Sequence, residues 1–398
     1  MSRGITLPAI TVPANLRTGA WSWFHQERSI IKDGILYMTY AAAGSAHTQT
    51  GIRTYDPSIK LTGEVLFHAL SQDDHNLAGL CFTDQEKLVV GYSAHIGTTF
   101  YRRLALNAND ALAWSAEQTQ TGDTEYTYQS PFYMPNEGTG VGRIYMFYRG
   151  GPANGPSQRY IYSDDRGATW SAPVDWFVNG NKAYRITVQN GDRLHFVISK
   201  GHPVQDTGIA CSLYHCYFEA GVWYKSDGTE ISAVNLPFDE TDLTPVIDTA
   251  GHDFWQWDIE IDGAGNPIIL YVDLVDPATD QMFGIARWTG SAWTSEQIVQ
   301  SGGYINGAES GRCGGGAIYD ENTVYLSIKD GGGLFDLWRY TKSGGTWSGT
   351  KLTTSAGSTD RNVLPCCPLG ANATIPVIWV RGNYLGFSNV QDCVYKIL

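Results

Sequence analysis

A short strand signal that recurs along the whole chain constrains this sequence more than any other feature. Each copy is a run of about six residues rich in β-branched and aromatic side chains, the pattern of a β-strand. The seven copies begin at Ile35, Leu88, Ile144, Leu194, Ile268, Val324 and Ile375. The intervals between them are 53, 56, 50, 74, 56 and 51 residues. Small antiparallel sheets repeated at this period are typical of β-propellers, so the sequence predicts an all-β, seven-bladed β-propeller with four-stranded antiparallel blades.

The two ends of the chain fit the same period. From Ile375 to the C-terminus, and on from Met1 to Ile35, there are 58 residues, which is one more repeat length. We therefore expect the N-terminal segment around Trp21–Ile31 to complete the last blade. No linker or low-complexity segment interrupts the pattern, so residues 1–398 are interpreted as one propeller domain.

Composition excludes several classes of protein. The 398 residues include 45 Gly and 50 aromatic residues, and only 17% are charged. Coiled coils and disordered chains are far richer in charge and poorer in aromatics. No apolar run approaches the length of a membrane span. The net charge of −13 argues against nucleic acid as a partner, although a local cationic pocket could still bind an anionic polymer.

The cysteines leave two interpretations open. There are seven, irregularly spaced and without a CxxC pair, so neither a zinc ribbon nor a dense disulfide framework is indicated. Buried free thiols are one interpretation. The other is a structural metal held with a nearby His by some of Cys211, Cys216, Cys313, Cys366 and Cys367.

One turn carries a complete motif. Ser163, Asp165, Gly167 and Trp170 form the S-x-D-x-G-x-x-W pattern called an Asp box. The Asp side chain can cap turn amides, and Gly adopts the backbone angle that other residues avoid. The motif is interpreted as a structural staple of the blade rather than as a catalytic site.

Equivalent positions in successive blades line the same face of a propeller, so sequence offsets predict proximity. His75, Tyr133 and Tyr184 lie 13, 11 and 10 residues before the strand signals at Leu88, Ile144 and Leu194. We expect them near the start of the innermost strands of adjacent blades. At the ends of the same three signals lie His95, Arg149 and Lys200. A single Tyr, His or Arg at such a position is usually structural, but six in register favour an active site.

Further features resemble one family. They are Trp21-Ser22-Trp23-Phe24, Asp74-His75-Asn76 with His95 twenty residues later, the Asp box, Tyr214-His215-Cys216-Tyr217, and Gly314-Gly315-Gly316. Together they resemble the BNR-repeat propellers of the ulvan lyase type, polysaccharide lyase families twenty-four and twenty-five, over nearly the whole chain. The resemblance implies β-elimination on an acidic polysaccharide, ulvan in the first place. It also implies that a structural zinc or calcium can be present, with ligands that the sequence does not assign, and that the chemistry needs no cofactor.

The resemblance also assigns roles. His75 matches the catalytic His, Tyr133 the catalytic Tyr, and Arg149 the Arg that meets the uronate carboxylate. His95 matches a second His of the cleft, and Tyr184 a further Tyr. Their neighbours Asn76 and Arg185, together with Lys200, complete the expected substrate-binding set.

These residue types suit the chemistry. Elimination removes the C5 proton of a uronate, and a cation held against the carboxylate stabilises the enolate-like transition state. The planar fork of Arg149 can bind a carboxylate bidentately. His75 and Tyr133 are predicted to transfer the protons, with the assignment of acid and base left open. Asp74 either orients His75 or caps a turn.

Two other functions stay open at the sequence level. One is a sialidase-like glycoside hydrolase, for which Arg28, Arg149 and Arg312 could supply an arginine triad, although only one full Asp box and no FRIP-like signature occur. The other is a non-catalytic carbohydrate-binding propeller, for example on a phage tail. Tyr133, Tyr184 and Trp21 or Trp23 are aromatic residues that the repeat does not explain, and they are candidate sugar platforms.

The expected partners follow from this interpretation. We expect an acidic polysaccharide substrate, a monomer, and no nucleic acid or membrane partner. The first nineteen residues contain no apolar stretch of signal-peptide length. A secreted or extracellular protein is therefore expected to have lost its signal or to use another export route.

Overall fold

The computed structural model describes residues 19–42, 49–59, 61–151, 157–203, 210–232, 236–247, 251–276, 280–305 and 312–398. These residues form seven antiparallel sheets, and the predicted seven-bladed β-propeller is confirmed. The regular helical structure among them is one 3₁₀ turn, Glu240–Asp242. No helix in the described ranges is long and apolar enough to cross a membrane.

The strands of the first four blades follow one another along the chain. Blade 1 contains β1 (Gly19–Ala20), β2 (Ser29–Lys32), β3 (Ile35–Ala42), β4 (Gln49–Asp56) and β5 (Leu61–Ala69). Blade 2 contains β6 (Gly79–Phe82), β7 (Leu88–Ser93), β8 (Phe100–Leu104) and β9 (Gln118–Gln120). Blade 3 contains β10 (Thr124–Met134), β11 (Arg143–Gly151), β12 (Ser157–Ser163) and β13 (Val174–Phe177). Blade 4 contains β14 (Arg185–Asn190), β15 (Arg193–Ser199), β16 (Leu213–Glu219), β17 (Val222–Lys225), β18 (Glu230–Ile231) and β19 (Thr244–Ile247).

The remaining three blades complete the ring. Blade 5 contains β20 (Phe254–Ile261), β21 (Pro267–Asp276), β22 (Asp280–Trp288) and β23 (Trp293–Gln300). Blade 6 contains β24 (Gly316–Asp320), β25 (Thr323–Lys329), β26 (Phe335–Ser343) and β27 (Thr346–Lys351). Blade 7 contains β28 (Arg361–Cys366), β29 (Ile378–Gly386) and β30 (Asn389–Ile397).

Every predicted strand signal belongs to the second strand of a blade: β3, β7, β11, β15, β21, β25 and β29. Six begin within one residue of the predicted position, and the seventh begins at Ile378 rather than Ile375. The strands that precede them line the central channel, since β14 contacts β20, β20 contacts β24, and β24 contacts β28. We call the mouth of the channel where β6, β10 and β14 begin the start face, and the opposite mouth the far face.

The sequence predicts that the N-terminal segment completes the last blade, but the described part of this segment forms its strand pairs within blade 1. Ile30 and Ile31 belong to β2, which pairs with β3 as the first strand of blade 1, and β1 pairs with the other end of β3. Asp33 and Gly34, with φ of 52° and 80°, form the two-residue turn that joins β2 to β3. Positive φ at both turn residues matches the twist of a tight hairpin, so this segment folds onto its own neighbour. The first blade meets the last through Trp21, stacked on Tyr395 at 4.4 Å, and through two backbone hydrogen bonds of β2. The amide of Ile31 donates to the carbonyl of Leu369 at 2.8 Å, and the amide of Leu369 donates to the carbonyl of Ser29 at 3.0 Å.

Much of the aromatic excess lies between neighbouring blades. Trp176 of blade 3 stacks on Trp223 of blade 4 with ring centroids 4.2 Å apart. Phe147 and Phe196 pack beside them, and all four side chains are buried. Since each sheet is apolar on both faces, aromatic rings fill the wedge between blades.

Candidate active site

The site is built first from the loop that leads into β6. The carboxylate of Asp73, which is almost fully buried, accepts a hydrogen bond from Nδ1 of His75 at 2.5 Å and another from Nδ1 of His95 at 2.9 Å. The two imidazole rings stack with centroids 3.8 Å apart and planes inclined by 7°. Because each Nδ1 donates to the same carboxylate, the proton-transfer capacity of both rings rests on their Nε2 atoms.

The carboxylate of Asp74 lies beneath this pair with no exposed surface. Its Oδ2 accepts hydrogen bonds from Nη2 of Arg312, at 3.0 Å, and from the hydroxyl of Tyr384. Its Oδ1 lies 3.0 Å from Nδ1 of His75. Asp74 therefore lies within ion-pair distance of His75, which agrees with an orienting role, one of the two roles that the sequence left open for it.

The surroundings drive the pKa values of the two histidines apart. Burial lowers the pKa of His75, but the carboxylates of Asp74 and Asp73 outweigh it and raise that pKa above its ordinary value. Burial and the charge of His75 lower the pKa of His95, against the opposing effect of Asp73. Burial would raise the pKa of Asp73, yet its hydrogen bonds with His75 and His95 lower it. These opposite shifts favour the cationic form of His75 and the neutral form of His95.

Arg149 supplies the cation of the site. Its side chain is 3% exposed, and its guanidinium lies over the rings of Tyr128 and Tyr184, 4.8 Å and 5.2 Å from their centroids. Among the described residues, its Nε and Nη1 have no hydrogen-bond acceptor. Burial lowers the pKa of Arg149, but the two Tyr side chains outweigh it and raise that pKa. A buried guanidinium with two unused donors is costly unless an anion comes to it.

Tyr128 joins Arg149 to the histidines. Its ring centroid lies 5.5 Å from that of His75 and 5.7 Å from that of Tyr184. Burial, followed by the neighbouring Tyr184, raises its pKa well above the ordinary value, so the phenol keeps its proton near neutral pH. Its backbone has a φ of +62°, which is uncommon outside glycine. Such strain is frequent at functional sites.

The predicted position of Tyr133 is wrong. It lies near the end of β10, about 16 Å along the strand from Tyr128 at the usual rise per residue, and its hydroxyl donates to the carbonyl of Val141 at 3.1 Å. It lines a cavity of about 690 Å³ at the far face, with Phe82 and Gln189.

The reason for this error is the length of the turn after each first strand. Residues 83–87 join β6 to β7, residues 135–142 join β10 to β11, and residues 191–192 join β14 to β15. The offset of 11 residues before Ile144 is used up in crossing the longest of these turns. It therefore reaches only Tyr133, the residue that pairs directly with Ile144 across the two strands. Equivalent positions are found when the count starts at the residue paired with the strand signal. In blade 4 that residue is Gln189, the partner of Leu194, and Tyr184 lies five residues before it. In blade 3 it is Tyr133, and Tyr128 lies five residues before it. This count would have found Tyr128, which the sequence analysis missed.

Three of the predicted substrate-binding residues interact with other protein groups. Arg185 is 1% exposed and donates from Nη2 to the carbonyl of Tyr128 at 2.9 Å, since its side chain points into the protein interior. Lys200 lies 3.3 Å from a carboxylate oxygen of Glu240, which draws its side chain to that loop. Asn76 is 1% exposed and holds the backbone amide of His95 through Oδ1 at 2.6 Å. The structure assigns supporting roles to Arg185 and Asn76.

Trp21 and Trp23, considered as sugar platforms, are both buried. The indole of Trp21 donates to the carbonyl of Leu364 at 2.9 Å, and that of Trp23 donates to the carbonyl of Gln256 at 3.0 Å. Their hydrogen bonds are satisfied within the central channel, where they act as core. Tyr184, in contrast, lies with Arg149 at the start face as expected.

One group of potential metal ligands coincides with the histidine pair. Within the described ranges, one cluster of at least three His, Cys, Asp or Glu residues has donor atoms that all lie within 4.8 Å of one another: Asp73, His75 and His95. In this cluster Nδ1 of His75 and Nδ1 of His95 are each hydrogen-bonded to the carboxylate of Asp73. All seven cysteines are described, all are free thiols, and six are buried. The structural zinc or calcium stays a prediction without assigned ligands.

The comparisons with known proteins agree with the fold. A family model described as a BNR repeat-containing family member matches residues 36–301. No curated protein sequence matches the chain significantly. A solved structure described as a polysaccharide lyase family PL25 ulvan lyase superposes with a TM-score of 0.69 at 16% identity, covering 96% of this chain and 93% of that one.

Two further structures superpose over most of the chain. The same type of lyase bound to -[GlcA(1-4)Rha3S]- gives a TM-score of 0.68 at 16% identity, with coverage of 96% and 93%. The polysaccharide lyase Uly1 gives 0.55 at 11% identity, with coverage of 94% and 90%. At these identities the likeness establishes a shared fold.

Proposed function

The chain belongs to the BNR repeat-containing family, and from the site at its start face we propose that it is a polysaccharide lyase that cleaves a uronate-containing acidic polysaccharide by β-elimination. The observation that carries this proposal is Arg149, a buried cation with unused donors beside a carboxylate-bridged histidine pair. Ulvan is the proposed polymer, because solved lyases of the same fold are described as ulvan lyases and one is bound to a glucuronate–rhamnose repeat. Ulvan is a polysaccharide, which is encountered outside the cell, and we propose that the protein acts there.

The guanidinium of Arg149 binds the uronate carboxylate in this mechanism. Nε and Nη1, the two donors of Arg149 without an acceptor, lie on different edges of the guanidinium, so a uronate carboxylate can accept from either of them. Neutralising the carboxylate makes the C5 proton more acidic, and the fixed positive charge stabilises the enolate-like transition state without reorganisation of solvent.

The proton transfers follow from the separated pKa values. Neutral His95 accepts the C5 proton on Nε2, because its Nδ1 is committed to Asp73. As the C4–O4 bond breaks, the phenol of Tyr128 donates its proton to the departing O4, and the electron pair from C5 forms the C4=C5 double bond. Cationic His75 lies close enough to Tyr128 to stabilise the phenolate that remains. This assignment gives His95 the role of base and replaces Tyr133 with Tyr128.

The experiment is an absorbance assay for the unsaturated uronate product. The wild-type protein is incubated with ulvan and with a panel of other uronate polymers. The masses of the products are measured by mass spectrometry. Arg149→Met, which keeps the length of the side chain and removes the charge, should abolish the rise while leaving thermal unfolding little changed. Tyr133→Phe, at the far face, is the matched control and should keep full activity.

The outcomes separate the three functions. Products one water heavier than the unsaturated sugars would indicate a hydrolase, and binding without products would indicate a non-catalytic lectin-like propeller. The hydrolase has little structural support, since Arg312 is paired with Asp74 and Arg28 donates to the carbonyl of Trp23, so the arginine triad does not form. No reaction with any uronate polymer would refute the proposal.

A further inference from the structure

Ile96 combines two features that are each unusual. Its side chain is 56% exposed, and its backbone has a φ of +50°. It is the one β-branched residue with a positive φ in the described part of the chain. For a β-branched side chain this conformation is a genuine outlier, because Cβ is crowded against the backbone.

A tight turn imposes this conformation. The amide of Gly97 donates to the carbonyl of Ala94 at 3.0 Å, which closes a four-residue turn with His95 and Ile96 at its centre. Gly or Asn is the usual residue at the third position of a turn with positive φ. Ile96 also belongs to none of the apolar clusters of the described core, so packing does not explain its presence.

The turn places Ile96 at the rim of the candidate active site. It directly follows His95, and its amide donates to Oγ1 of Thr127 at 3.1 Å. Thr127 is in turn the strand partner of Arg149. Ile96 therefore lies between the proposed base and the strand that carries the proposed carboxylate-binding cation.

We propose, resting on the proposed function, that Ile96 is a specificity residue that contacts the sugar linked to the uronate and selects a 6-deoxyhexose there. An isolated aliphatic side chain gains from burying a methyl group, and it offers no partner to the hydroxyl of a hydroxymethyl group. The strain retained at this position supports a functional contact, because a glycine or asparagine would close the turn more easily.

The test measures binding and stability together. Calorimetric titration compares an oligosaccharide in which the uronate is linked to a 6-deoxyhexose with a counterpart that carries a 6-hydroxyl, on the wild type, Ile96→Asn and Ile96→Val. Ile96→Asn should bind the deoxyhexose ligand about tenfold more weakly, as expected for the loss of a small apolar contact, and should bind the hydroxylated ligand nearly unchanged. It should unfold at the wild-type temperature or above, because Asn tolerates this backbone conformation. Ile96→Val should bind both ligands like the wild type.

Each result decides the inference. Equal affinities of the wild type for the two ligands, or wild-type affinities in Ile96→Asn, would overturn it, and so would a lowered unfolding temperature in Ile96→Asn with proportional loss of both affinities. Discrimination that depends on Ile96 in a protein that forms no unsaturated product would uphold this inference and refute the lyase. Binding of neither ligand would overturn the inference, while the absorbance assay on the panel of uronate polymers decides the lyase separately.

Discussion

Replacing Asp73 with Asn tests how the histidine pair is organised. The carboxylate of Asp73 accepts from Nδ1 of both His75 and His95. An amide has one acceptor oxygen and presents N–H donors in place of the second. One of the two histidines must therefore lose its hydrogen bond or adopt the opposite tautomer, with its proton on Nε2.

The structure sets the size and direction of the effect. General acid–base catalysis contributes about 10²- to 10⁴-fold, so a wrong tautomer at His95 should lower kcat within that range. Asp73 favours the cationic form of both rings, so its loss should lower both pKa values. A hydrogen bond to a charged group contributes about 1.5–3 kcal/mol, which corresponds to a shift of about one to two pH units.

The assay is the pH profile of kcat/KM for the unsaturated product, with substrate binding measured in parallel. In Asp73→Asn both limbs of the profile should move to lower pH, since His95 must be neutral and His75 cationic. KM should change little, because Asp73 does not meet the substrate. A profile that keeps its limbs while activity falls only with the folded fraction would refute this reasoning, because Asp73 would then be merely structural.

Other substitutions and conditions give further predictions. Arg149→Lys should lower kcat/KM about 10²-fold, the typical cost of one electrostatic contact to a transition state, and kinetics equal to the wild type would remove Arg149 from the mechanism. Tyr128→Phe should abolish product formation in the same absorbance assay, in which Tyr133→Phe is unaffected, and the reverse result would restore Tyr133 as the catalytic residue. Burial lowers the pKa of His195 to about 4, so the stability that this neutral side chain contributes is present above its unfolded pKa of 6.5 and is lost as pH falls towards 4. Its contribution should decrease by about 2 kcal/mol between pH 7 and pH 5. Denaturant unfolding of the wild type and His195→Gln at both pH values checks this, and an equal pH dependence in the two proteins would contradict it.

Several parts of the candidate site could be predicted from sequence because they are local. His75 and His95 flank a short strand pair, and the loop Asp73–Asn76 carries its polar side chains together. Arg149 follows from the same regularity, since it lies near the end of β11 as His95 lies just after the end of β7. In each case the relevant distance along the chain is short.

Other parts depend on distances that the repeat does not fix. Tyr128, and not Tyr133, lies beside Arg149 and His75, because the turn after β10 is longer than its counterparts. Asp74 and Arg312 are separated by 238 residues, and only the closing of the ring brings them within 3.0 Å. Trp21 and Trp23 look like free aromatics in the sequence, yet the central channel buries them.

The sequence by itself therefore determined the repeating unit, the number of blades and the second strand of each, because strand formation follows from the local alternation and branching of side chains. It also indicated which loops carry histidines. Only the tertiary structure decided which side chains share a cleft, which are core, and which protonation states they hold. The physical reason is that pKa values and hydrogen-bond partners depend on burial and on charges from other blades, and those contacts exist only once the ring is closed.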